Sequence, residues 1–72
     1  MDTDTEQLKY PKNERVWVGY YNSKQELRFI VTSKRDNRDW YFIYELKGDS
    51  FVKLGKSKNP LELADKFVNG NL

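Results

Sequence analysis

Between Arg15 and Gly55, large apolar side chains fall on both phases of a two-residue alternation. Val16, Val18 and Tyr20 alternate with Trp17, Gly19 and Tyr21. Leu27, Phe29 and Val31 alternate with Arg28, Ile30 and Thr32. Trp40, Phe42, Tyr44 and Leu46 alternate with Tyr41, Ile43 and Glu45. Period two in segments rich in Val, Ile and aromatics predicts β-strands. The expected strands are Arg15–Tyr21, Glu26–Thr32, Trp40–Leu46 and Phe51–Gly55.

The segments between them carry turn chemistry. Asn22-Ser23-Lys24-Gln25 reads as a turn, because Asn and Ser side chains bond their own backbone. With Ser23 and Lys24 central, Tyr20 would face Leu27, Val18 would face Phe29 and Val16 would face Val31. That register gathers apolar pairs on one face. The stretch from Ser33 to Asp39 is charged and belongs in solvent. Gly48-Asp49 suits a type II′ or I′ hairpin turn. Beyond the last strand, Asn59 is a candidate N-cap, Pro60 fits the first helical position, and Gly70 marks the stop. Leu61, Leu63, Ala64, Phe67 and Val68 give that helix one broad apolar stripe. The expected fold is α+β: a three- to four-stranded antiparallel meander packed on one face by a single C-terminal α-helix.

One helix covers one face. The expected covered face holds Val16, Val18, Tyr20, Leu27, Phe29, Val31, Tyr41, Ile43, Val52 and Leu54, with Glu45 at its end. The other face would hold Trp17, Tyr21, Arg28, Ile30, Phe42, Tyr44, Leu46, Phe51 and Lys53. A one-residue shift of the second hairpin would exchange its two sets. An open apolar face beside Arg and Lys implies a partner.

Composition narrows the chemistry. The chain has 72 residues, enough for one small domain, with neither Cys nor His. Disulfides, thiolate nucleophiles, zinc and haem sites and His-dependent triads are excluded. Stability must then come from an aromatic core or from association, and aromatics are 15% of the residues. Residues 1–13 read as a polar, acidic, flexible leader before a domain spanning residues 14–72. Asp2, Asp4, Glu6 and Glu14 outnumber Lys9 and Lys12 near the start; of 13 basic and 11 acidic residues in all, 11 and 7 remain beyond residue 14. The body of the chain is therefore modestly basic. The leader has no apolar signal-peptide core, and no apolar run approaches a membrane span, so a cytoplasmic setting is expected.

Catalysis ranks last among the functions. Gly55-Lys56-Ser57 resembles the end of a phosphate-binding loop, but Ser50 stands where that loop needs its first glycine. No cofactor or metal is expected, and the chain is not expected to be an enzyme. Trp17, Tyr21, Arg28, Ile30, Phe42, Tyr44 and Lys53 form the candidate binding face. Interface centres favour such aromatic and Arg-containing sets, so association with another protein, or with a second copy of this chain, comes first. The alternative is nucleic acid: sheet aromatics stack unpaired bases while Arg35, Arg38, Lys56 and Lys58 contact phosphates. By element order alone, strands followed by one C-terminal helix resemble small single-stranded-DNA-binding coactivator domains and the arm-binding domains of some mobile-element integrases.

Overall fold

The computed structural model describes Pro11, residues 13–36 and residues 39–72. The leader expected over residues 1–13 therefore lies mostly outside the described residues. Four antiparallel strands follow: β1 (Glu14–Tyr21), β2 (Leu27–Lys34), β3 (Tyr41–Lys47) and β4 (Ser50–Ser57). They lie side by side in chain order. One C-terminal helix, α1, begins as an α-turn at Pro60–Leu63 and widens to π-helix over Ala64–Val68. The α+β meander with a single helix is the architecture the alternation predicts.

The helix starts and stops where its punctuation says. The Asn59 side chain accepts a bond from the Leu61 amide at 3.0 Å, and Pro60 occupies the first turn, where its missing N–H leaves nothing unsatisfied. Gly70 takes a left-handed φ of +84° just past the end. The π-helical second half is not visible in the sequence. Five-residue hydrogen-bond steps, ending with the Asn69 amide on the Ala64 carbonyl at 3.1 Å, bring Val68 into line with Leu63. Both are buried. Leu61, expected on the stripe, instead stands 62% exposed.

α1 covers the sheet face formed by Phe29, Val31 and Ile43, with Val18, Tyr20, Tyr41 and Leu54 packed around them. Phe67 lies over Gly55, where an added Cβ would approach the ring to 3.1 Å. Glycine at that point lets the helix seat directly on β4. Tyr41, Ile43 and Leu54 thus lie on the covered face as expected. Val52 points the same way but is 43% exposed.

Three bulges alter the rest of the face assignment. The first hairpin closes through Asn22, whose side-chain oxygen accepts the Lys24 and Glu26 amides, each at 2.9 Å. Gln25 sits at a left-handed φ of 63°, making a three-residue loop instead of the expected two. Tyr21 then pairs with Leu27 and Tyr20 with Phe29, leaving Arg28 unpaired. A second bulge leaves Trp17 unpaired between Val16–Thr32 and Val18–Val31. A third leaves Leu54 unpaired between Gly55 and Lys53. Leu27 consequently joins the face away from the helix, where it packs beside Ile30. Val16, paired with Thr32, also leaves the helix-covered set. In the second hairpin Gly48 alone of the turn pair takes a positive φ, +65°, which selects the type II′ member of the two expected turns.

Candidate functional site

The face opposite the helix has a small core of its own. Ile30, Phe42 and Tyr44 are buried there, flanked by Leu27, Trp40 and Phe51. This corrects the expectation that Ile30, Phe42 and Tyr44 lie open: their exposures are 1%, 7% and 7%. Part of the cover comes from lysine. The Lys53 ammonium sits 4.5 Å above the centre of the Phe42 ring and 5.7 Å from that of Tyr44. Lys53 is itself exposed, so its ammonium covers the rings from the solvent side.

A polar clamp joins the Tyr44 hydroxyl to the sheet edge. The Glu14 carboxylate, on edge strand β1, accepts a hydrogen bond from the Thr32 hydroxyl at 2.6 Å. It also accepts from the Tyr44 hydroxyl, at 2.9 Å to one oxygen and 3.1 Å to the other. One carboxylate thus ties β1 to β2 and β3. Thr32 is wholly buried, so this acceptor satisfies a hydroxyl that has no access to water. Burial, and then the adjoining Glu14 carboxylate, push the Tyr44 phenol well above its ordinary value of 10.0. Among the described residues no group of His, Cys, Asp and Glu is arranged to hold a metal ion. No helix there is long and apolar enough to cross a membrane.

At one end of this face, basic and aromatic side chains converge. Phe42 pairs with Lys56 across β3 and β4, and Tyr44 pairs with Lys53. The bulge at Leu54 keeps Lys53 and Lys56 on the same face although they are three positions apart. Lys34 comes from the end of β2, and Lys58 follows β4. The Lys56 and Lys58 ammoniums lie 4.9 and 5.3 Å from the Trp40 ring centre, and that of Lys34 lies 5.9 Å from Phe42. Lys34, Trp40, Phe42, Lys53 and Lys56 line a cleft of about 490 Å³. None of the four lysines forms an ion pair among the described residues; the pairs seen there join Arg28 and Lys47 to Glu45. Exposed cation–π contacts contribute only about 0.5–1 kcal/mol each. The cluster therefore offers four positive charges that an anion can draw off the rings at little cost.

The structure distributes the expected site residues unevenly. Phe42, Lys53 and Lys56 meet in the cleft, Lys58 lies beside it against Trp40, Tyr44 is buried next to Phe42, and Ile30, buried in the same cluster, borders the separate hollow near Tyr21. Trp17 does not join them. Its bulge sets the ring edge-to-face against Tyr41 at 5.8 Å, and Tyr41 packs on the helix-side core. Arg28 is also displaced: as the unpaired residue of its bulge it lies 3.6 Å from Glu45 and borders a hollow with Phe67 and Lys66. Tyr21 stays on the open face, but at the far end with Leu27. It lines a separate hollow of about 540 Å³ that also includes Glu14 and Arg35. Arg35, whose amide donates to the Asn13 carbonyl at 3.1 Å, lines this hollow rather than the lysine cleft. Arg38 lies outside the described residues.

Trp40 and Lys34 belong to the cleft but not to the face read from the sequence. The signal for Trp40 was its phase: it shares the alternation of Phe42 and Tyr44. Glu14 was placed beside the leader, and nothing in its neighbours along the chain marks it as a buried acceptor. Compared with family models, curated proteins and solved structures, the chain matches none of them.

Proposed function

We propose that this protein is a small non-enzymatic binding module whose lysine–aromatic cleft holds nucleic acid. One observation supports this above the others: Lys34, Lys53, Lys56 and Lys58 crowd onto Trp40 and Phe42 without carboxylate partners among the described residues. Like charges gathered on one small surface are unfavourable unless an anion joins them. Nucleic acid supplies phosphates at regular intervals and flat bases suited to aromatic rings.

Protein association rests on a different place. Among the described residues β1 is an edge strand carrying Val16, Trp17 and Tyr21 at 47%, 50% and 57% exposure, and an edge strand can accept a strand from another chain. The buried state of Ile30, Phe42 and Tyr44 removes most of the apolar surface that favoured this reading. It stands second here.

Equilibrium titration with labelled oligonucleotides at two salt concentrations tests the proposal. Neutralising four phosphates of a single strand gives a slope of about −2.8 in log affinity against log salt, or about fifty-fold weaker binding on going from ~50 to ~200 mM salt. Binding unaffected by salt, or none at low salt, contradicts the nucleic-acid reading.

A further inference from the structure

We infer that the cleft selects single strands, with an unpaired base seated on Trp40 and phosphates held by the lysines that now cover the ring. This inference rests on the nucleic-acid reading and narrows it. Trp40 is only partly buried, at the rim of the cleft, and the Lys56 and Lys58 ammoniums stand within 5.3 Å of its ring centre. A phosphate arriving beside those ammoniums forms stronger charge-assisted bonds than the ring offers. The lysines then leave the indole, and a vacated aromatic face is a stacking platform for a base.

The arrangement of charge fits a backbone running along β4. Tyr44 and Phe42, two residues apart on β3, pair with Lys53 and Lys56. Two residues of strand span roughly 6.7 Å. Successive ammoniums are therefore stepped along the strand while aromatic rings lie beside them. A duplex cannot use this set fully. Its bases are paired and stacked inward, so it can give phosphates to the lysines but no base face to Trp40. Nor, among the described residues, is the helix suited to groove reading. The apolar side of α1 is spent on the sheet, and its outer side carries Glu62, Asp65, Lys66 and Asn69, with Glu62 bonded to Ser57 at 3.0 Å and Asp65 to Asn69 at 3.1 Å.

The test compares a short thymidine single strand with a duplex of equal length, at low salt, by fluorescence anisotropy. The wild-type chain is expected to bind the single strand at least about tenfold more tightly, the gain typical of stacking one base. Trp40→Leu, which keeps apolar bulk beside Phe42 but has no flat face, should lose that tenfold and leave duplex affinity unchanged. Trp40→Phe should retain most of it. Circular dichroism confirms that both variants are folded. Equal affinity for single strand and duplex in the wild type, or a Trp40→Leu variant with unaltered preference, overturns the inference while leaving salt-dependent nucleic-acid binding in place. Absence of binding to either form overturns the inference together with the reading beneath it.

Discussion

Replacing Lys56 and Lys58 together by Glu should eliminate salt-dependent binding of single strands. The change takes the cleft from four positive charges to a balanced set, and the salt slope should fall from about −2.8 to near zero. These two lysines are the informative pair because both are exposed and both set their ammoniums over the Trp40 ring. Lys53 is a poorer choice: its ammonium lies over the buried Phe42 and Tyr44 rings, so its loss would also uncover a core. Exposed substitutions of this kind shift stability by no more than about 0.5 kcal/mol, so the double variant should unfold at nearly the wild-type temperature. Neutral Gln at the same positions should give an intermediate result, each substitution lowering the slope by about 0.7. A folded Lys56→Glu, Lys58→Glu variant with unchanged affinity would place any nucleic-acid site elsewhere.

The second large effect concerns stability. Glu14→Leu leaves the Thr32 and Tyr44 hydroxyls without their shared acceptor. Each buried unsatisfied group costs about 1–3 kcal/mol, so with two of them the variant should lose about 2–6 kcal/mol. A small single core rarely supplies more than about 3–5 kcal/mol, and each lost kcal/mol lowers Tm by about 4–8 °C in a domain of this size. The variant should therefore melt far below the wild type or fail to fold at room temperature. Adding Thr32→Val and Tyr44→Phe removes the orphaned donors and should restore much of the loss. A Glu14→Leu variant within about 1 kcal/mol of wild type would show that the clamp contributes little.

The same clamp sets an alkaline limit. The folded Tyr44 phenol holds its proton more tightly than the unfolded one. Its contribution is present below pH 10, the ordinary phenol value, and is lost as pH rises through the higher folded value. Tyr44→Phe should flatten that part of the stability profile.

The sequence carried the elements of this fold but not all of its faces. Alternation, the Gly48-Asp49 turn and the Asn59-Pro60 cap are local signals, and each reappears in the structure. Face assignment depends on counting residues by twos, and a bulge breaks the count without changing composition. Trp17 and Arg28 are the unpaired residues of two such bulges, and both leave the face their phase assigned to them. The bulge at Leu54 has the opposite result, since it brings Lys53 and Lys56 onto one side with Phe42 and Tyr44. The burial of the second face was hidden for another reason. Lys53 is a solvent-seeking residue in any composition, and its role as a cover depends on which rings its ammonium lies over. Glu14 likewise gains its role only when β1 folds beside β2, which places it within reach of a hydroxyl two strands away.

The most direct test of the cleft itself is an amide chemical-shift titration of the labelled chain with a short thymidine strand at low salt. The lysine cleft predicts the largest shifts at Lys34, Trp40–Phe42 and Lys53–Lys58, with the Trp40 indole N–H among them and the outer side of α1 unchanged. Shifts confined to Val16, Trp17 and Tyr21 on the β1 edge, or to α1, would contradict that assignment, as would a spectrum that does not move at all.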